Sequence, residues 1–240
     1  LESHASLIQP KAIILPHAGY LYSGKTAGEV IRRVHIPKVC FLLGPNHWGV
    51  GHPFAVIREG IWETPLGPVP IEQDFTAGLL AACQDLAVDS QAHEREHSLE
   101  VEVPFLQYRN PQVRISPLLI GTLDLERARR AALSLARFLK TRSDFLIVAS
   151  TDMNHYENDE ATRRKDRYAL QAIEALDAEG LQKAVETHRI TMCGYVPVYL
   201  TLLLVKALGA TKATLVDYRT SAEASGDYDR VVGYAGFIVE

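Results

Sequence analysis

No stretch of this sequence could cross a bilayer as a helix. Spanning the hydrocarbon core takes about 20 mainly apolar residues, and the best run, Val196 to Val205, is half that length and interrupted by Pro197, Tyr199 and Thr201. Cysteine is scarce as well. Cys40, Cys83 and Cys193 are odd in number, far apart and form no CxxC pair, which excludes a secreted disulfide framework and makes a reducing cytoplasm the expected compartment. Leu1 to Gln9 has neither the basic start nor the apolar run of a signal peptide, so no export signal is read; a start at Leu1 without methionine is consistent with a trimmed chain. An excess of positive charge is also missing. Basic clusters at Arg127, Arg129 and Arg130 and at Arg163, Arg164, Lys165 and Arg167 are interleaved with Asp124, Glu126, Glu157, Asp159, Glu160 and Asp166, the pattern of solvated helix faces. With a net charge of −4 and 8% aromatic residues, nucleic acid is not an expected partner. No glycine spacing matches a dinucleotide fingerprint or a phosphate loop.

What the sequence does have is core. Hydrophobic residues make up 47% of its 240 positions, which excludes disorder, collagen and coiled coil. A domain of this size buries roughly three quarters of its unfolded surface, so the fold should stand without disulfides or structural zinc. Lys11 to Leu15 (KAIIL), Val39 to Leu43 (VCFLL) and Phe145 to Ala149 (FLIVA) are continuous apolar runs of strand length, as in parallel strands covered on both faces. Thr26 to Val34 has helical spacing, so the opening reads as a βαβ unit. Ala55 to Ile57 and Val69 to Ile71, separated by proline and glycine turns, predict a hairpin or an excursion at a sheet edge. Val113 to Ile120 predicts a strand whose Pro117 prefers an edge or a strand end. Helices are expected over Gln73 to Gln84, Leu125 to Leu139, Arg163 to Ala178, Leu181 to Thr187 and Tyr195 to Leu208, and last strands at Thr214 to Asp217 and Tyr234 to Val239. Ser221 to Arg230 is a loop between them. With no repeat, low-complexity tract or linker, residues 1–240 read as a single α/β domain, a mixed β-sheet with helices on both faces.

In open α/β sheets, ligands bind beyond the carboxyl ends of strands. His17 follows KAIIL, His47 follows VCFLL, and Asp152 and His155 follow FLIVA, although the nine histidines could have fallen anywhere. Cys193 directly precedes an apolar helix, where free N–H groups and the helix dipole favour the thiolate. Two neutral imidazoles and one anionic ligand are the minimum set for a metal centre with open positions. Glu96, His97 and Glu100 form a further polar group. Ser98 could cap a helix there, but Pro104 requires that helix to kink or to start later. Cys40 and Cys83 read as small buried hydrophobes. His4, His35, His52, His93 and His188 read as surface or packing residues, and Tyr20, Tyr22 and Trp48 either wall a pocket or pack the sheet edge.

The phrases PHAGYLYSG, LGPNHWG, EHSLEVEVPFLQ, STDMNHYE and MCGYVPV, in this order, resemble the Memo family, from Lys11 to the carboxyl end. Members of that family usually carry a further amino-terminal segment before the first phrase. The resemblance implies the fold of class III extradiol ring-cleavage dioxygenases. It also implies a metal site of His17, His47 and Cys193, with Cys193 standing where the related dioxygenases have a carboxylate. His155 matches their acid or base, with Asp152 as its orienting group, and His97 a pocket-lining histidine. Fe(II) is the first expectation for the ion, with Cu or Zn as alternatives for a softer His/His/Cys set. The substrate would be a small phenolic or polar molecule entering by Tyr20, Trp48 and His97. Two other functions stay open. One is a non-catalytic module binding a peptide or partner through the same pocket; the other is a hydrolase with a Cys193 nucleophile, His155 as base and Asp152 orienting it.

Overall fold

The computed structural model describes residues 7–240; His4 lies outside the described residues. Its first half runs β1 (Ala12–Leu15), α1 (Tyr20–Ile31), β2 (Val39–Pro45), β3 (Phe54–Val56), β4 (Ile61–Thr64), β5 (Gly67–Pro70), α2 (Gln73–Ala82) and β6 (Ala87–Val88). A 3-10 turn (Glu100–Glu102) then leads into α3 (Val103–Arg109), β7 (Arg114–Ile120) and α4 (Leu125–Leu139). The second half comprises β8 (Phe145–Ser150), β9 (His155–Glu157), α5 (Asp159–Glu174), α6 (Ala178–His188), α7 (Tyr195–Ala207), β10 (Ala213–Thr220), α8 (Ala222–Ser225) and β11 (Val231–Val239).

The main sheet has the order β10-β11-β1-β8-β2-β7-β3-β6, with β9 added against β11. Its centre, β1, β8, β2 and β7, is parallel, while β11 and β3 run antiparallel on either side. Alternation along the strands divides the apolar residues between two cores. Ala12, Ile14, Phe41, Leu43, Ile147 and Ala149 face the layer of α2, α4, α5, α6 and α7. Ile13, Leu15, Cys40, Leu42, Leu146 and Val148 face the opposite layer with α1 and α3. Covering both faces is what permits strands with no polar side, as expected for a mixed sheet between helices. α4 buries Ala128, Ala131, Ala132, Leu135, Ala136 and Leu139, a stripe at helical spacing. In α7 ten residues are buried, Tyr195 to Leu202 without a break and then Leu204 and Val205, so that helix lies within the molecule. No helix among the described residues is long and apolar enough to cross a membrane.

Several local expectations need correction. Ala55 to Ile57 and Val69 to Ile71 do not form a hairpin: β3 joins the main sheet beside β7, and the hairpin is β4 with β5. Pro117 lies inside an internal strand. The N–H of Arg114 bonds to Lys38 O beside β2, and that of Gly121 to Pro53 O beside β3, so odd-numbered positions of β7 face away from β2. There Pro117 falls between the last β3 pair, Val56 with Leu118, and an isolated bridge at Ile115. Its missing donor therefore breaks no ladder bond. α1 begins at Tyr20 rather than Thr26, and α5 begins at Asp159, where Asn158 caps Ala161 N at 2.8 Å. The Ser221 to Arg230 segment contains the short α8. After His97 the helix starts later rather than kinking, with Pro104 in the first turn of α3.

Asp166 of α5 braces the loop after β8. Its buried carboxylate accepts from Asn154 N at 2.9 Å and from the Tyr218 hydroxyl at 2.7 Å, and burial raises its pKa to about 6. The native carboxyl thus keeps its proton over a window, about pH 4 to 6, in which the unfolded chain has released it. Stability should therefore fall as pH rises through that window. Relative to Asp166→Asn, the wild type is expected to lose up to about 3 kcal/mol between pH 4 and 6 in urea unfolding; parallel profiles would show that this proton is not held.

Candidate metal centre

Strand register sets the site. Leu15 pairs with Ser150 and Leu43 with Ala149, so β1, β8 and β2 end at one rim, and the residues that follow carry His17, Asp152 and His47. The start of α7 is fixed to the same rim. Gly194 N donates to Thr151 Oγ1 at 3.0 Å, and a Cβ at Gly194 would collide with the Ser150 carbonyl oxygen. Only glycine allows this approach, and it delivers Cys193 beside the end of β8.

His17, His47 and Cys193 each offer one donor atom, and these three atoms lie within 4.8 Å of one another. Cys193 Sγ is 3.2 Å from His17 Nε2. Both imidazoles are held from behind. His17 Nδ1 is 2.7 Å from Ser150 Oγ. His47 Nδ1 is 2.8 Å from Glu96 Oε1, while His47 N donates to Glu96 Oε2 at 2.6 Å. Facing the Glu96 carboxylate, His47 Nδ1 donates and leaves its Nε2 lone pair for the cluster; His17 offers Nε2 in the same way when its Nδ1 donates to Ser150 Oγ, the arrangement by which carboxylates and hydroxyls orient metal-binding histidines. Donors about 3.5 Å apart suit a tetrahedral ion with bonds of about 2.0 to 2.3 Å, so a small inward movement would close the sphere. A second grouping, His47 with Glu96 and His97, is already spent, because Glu96 also accepts from Ser98 N at 2.9 Å.

The profile of the Memo-like protein family matches residues 2–238. This chain belongs to the Memo-like family. It is 44% identical to a MEMO1 family protein of Aquifex aeolicus over 96% of its own length and 86% of that protein's. A MEMO1 family protein of Methanopyrus kandleri is 39% identical over 94% of this chain and 82% of its own length. Among solved structures, an uncharacterized Escherichia coli K12 protein aligns with 96% of this chain and 100% of its own at a TM-score of 0.57 and 15% identity, a likeness of fold.

In this Memo-like chain, burial and its neighbours His47 and His97 lower the His17 pKa well below the usual imidazole value, so His17 is neutral. The bond to Glu96 raises that of His47. Burial works against the Glu96 carboxylate, yet the bonds from His47 and Ser98 hold its pKa down at about 2. Cys193 corrects an expectation. Its place before α7 suggested a ready thiolate, but burial pushes the thiol up to about 12 and outweighs the amide of Asp152, which donates to the sulfur at 3.2 Å. Ionising this sulfur therefore needs a cation beside it.

His155 lies close enough to disfavour charge on His17, but Asp152 does not orient it. Asp152 accepts from His17 N at 2.8 Å, whereas His155 Nδ1 donates to Thr191 O at 2.8 Å and its backbone N–H to Thr191 Oγ1 at 2.8 Å. The Cys193, His155 and Asp152 triad of the hydrolase reading is thus not assembled, because the sulfur meets His17. His97 stacks on His47, with centroids 5.1 Å apart. Tyr20 and Trp48 lie elsewhere. The Tyr20 hydroxyl donates to Val101 O, and its ring lines an apolar groove between α1 and α3. Trp48 is half-exposed beneath the Arg95 guanidinium and donates to Arg95 O. The cavity that opens on His47 and Cys193, about 280 Å³, is walled by Pro45, Ile120, Leu123 and Val196 together with Asn46 and Thr122.

Ser150, Thr191 and Asn154 escaped sequence reading. Asn154 Oδ1 accepts from Thr191 N at 3.1 Å, tying the loop that carries His155 to the one that carries Cys193. Small polar residues of this kind have no periodicity to betray them, although Ser150 closes the FLIVAS strand next to a histidine already singled out. If Glu96 acts as described, Glu96→Gln should lower the His47 pKa by about one unit or more in an NMR titration; an unchanged value would mean that the carboxylate does not hold this ring.

Proposed function

We propose that this Memo-like chain binds one metal ion through His17 Nε2, His47 Nε2 and Cys193 Sγ and uses it for redox or oxygenase chemistry on a small phenolic or polar molecule. The observation that carries this reading is the convergence of three donor atoms within 4.8 Å while both Nδ1 atoms are engaged from behind. Fe(II) is the ion proposed, with Cu or Zn the alternatives for a set containing sulfur. Such an ion, when bound, supplies electrons or Lewis acidity and stabilises the Cys193 thiolate that burial otherwise disfavours.

The chain's own part is binding, orientation and proton handling. A cavity of about 280 Å³ beside His47 and Cys193 is below the usual range for drug-sized ligands, which favours a single ring over an extended molecule. Ile120, Leu123, Val196 and Pro197 give the cavity an apolar side, and Asn46 and Thr122 add polar groups. His155 gives its Nδ1 proton to Thr191 O, leaving Nε2 as an acceptor, and burial lowers its pKa so that it stays neutral. A neutral imidazole can take the proton from a phenolic hydroxyl as the substrate binds.

Elemental analysis of anaerobically purified protein tests the ion. About one equivalent is expected in the wild type, with at least a tenfold loss in His17→Ala, His47→Ala and Cys193→Ser; equal content in all four overturns the site. Oxygen uptake with a panel of catechols and other phenols tests the chemistry. His155→Gln is expected to lower turnover by about 100-fold without lowering metal content, and uptake insensitive to this change would remove His155 from the mechanism.

A further inference from the structure

A hydroxyl has one proton to donate and two lone pairs with which to accept. Ser150 Oγ, fully buried, has three partners: Ser98 O at 2.6 Å, His17 Nδ1 at 2.7 Å and Glu102 Oε1 at 3.1 Å. A carbonyl oxygen can only accept, so Ser98 takes the Ser150 proton at the shortest of the three contacts. The other two partners must then both donate. His17 does so through Nδ1–H, and Glu102 can do so only as a neutral acid, through a carboxylic O–H.

The surroundings of Glu102 agree. Its side chain is fully buried and Oε2 has no hydrogen-bond partner among the described residues. An ionised oxygen left bare in that position would be far more costly than the carbonyl oxygen of an un-ionised acid. Burial, the largest influence, also pushes this carboxyl well above its ordinary pKa. The far side of the ring is compatible with this arrangement, since a Cys193 thiol 3.2 Å from Nε2 can donate to a lone pair there.

We propose that Glu102 is a positioning residue: as a neutral acid it donates to Ser150 Oγ, which fixes His17 as the Nδ1–H tautomer with its Nε2 lone pair turned to Cys193. The two imidazoles of the cluster are then held by carboxyl groups in opposite states, His47 directly by ionised Glu96 and His17 through a serine by un-ionised Glu102. Any effect on metal affinity rests on the metal reading above, whereas the tautomer is a property of the metal-free chain.

Long-range 1H–15N NMR of the histidine rings in metal-stripped protein, from about pH 6 to 9, separates the two. The expected result is the Nδ1–H tautomer of His17 in the wild type and in Glu102→Gln, whose amide N–H can donate to Ser150 in the same way. In Glu102→Met and Ser150→Ala the Nε2–H form should rise about tenfold, and affinity for Zn(II) or Co(II) should drop about 10- to 100-fold. Glu102→Gln behaving like Glu102→Met would mean that Glu102 acts as an anion, and would overturn the proposal. So would Nε2–H in the wild type, or an unchanged tautomer in Glu102→Met. If Glu102→Met does not fold, the wild-type tautomer and the match between Glu and Gln across pH still decide the matter. The expected tautomers without metal binding in any of the proteins would refute the metal reading and support the role of Glu102.

Discussion

The parallel pairing of β1, β8 and β2 is the constraint on which everything else in this molecule depends. Leu15 opposite Ser150 and Leu43 opposite Ala149 bring three segments distant in sequence to one rim at the same height. A slip of one residue would turn every buried side chain to the wrong core, so the two hydrophobic layers enforce the register and, through it, the meeting of His17, His47 and Asp152. α7 completes the rim because Gly194 lies flush against the end of β8. Core packing and site geometry are thus a single problem with a single solution.

Electrostatics in that cavity are set by burial, by the imidazoles themselves and by what stands behind them. Burial, and after it the nearness of His47 and His97, disfavours protonation of His17, while Glu96 supplies one compensating negative charge close to His47. The sulfur is the group least at ease. Half-buried, with the Asp152 amide donating to it at 3.2 Å, it still resists ionisation, and a positive charge beside it would favour the thiolate. Asp166, Asn154 and Thr191 form a hydrogen-bonded chain from α5 to both rim loops, which limits how far these donors can separate.

Much of this was legible from residue order. Continuous runs such as KAIIL, VCFLL and FLIVA have no polar face and must lie between two layers, and α4 shows its buried stripe in its spacing. Strand ends pointed to His17, His47, Asp152 and His155 because loops at one edge of a parallel sheet converge. Local signals failed where a distant partner decided the outcome. Val69 pairs within its own hairpin and not with β3, because β3 finds β7. Pro117 is tolerated inside the sheet because β3 stops one residue short of it. The thiol of Cys193 follows burial rather than its place before a helix, and His155 takes its orientation from Thr191, a residue of another loop.

By itself, then, the sequence determined the class of fold, the strands that carry the site and the kinds of donor atom that reach the rim, since hydrophobic periodicity and chain order are local properties. Only the tertiary structure decided which imidazole nitrogen is engaged from behind, which carboxyl group is ionised and how deeply the sulfur is buried. Each of those depends on hydrogen bonds and exclusion of water by segments far away along the chain, and no local pattern encodes them.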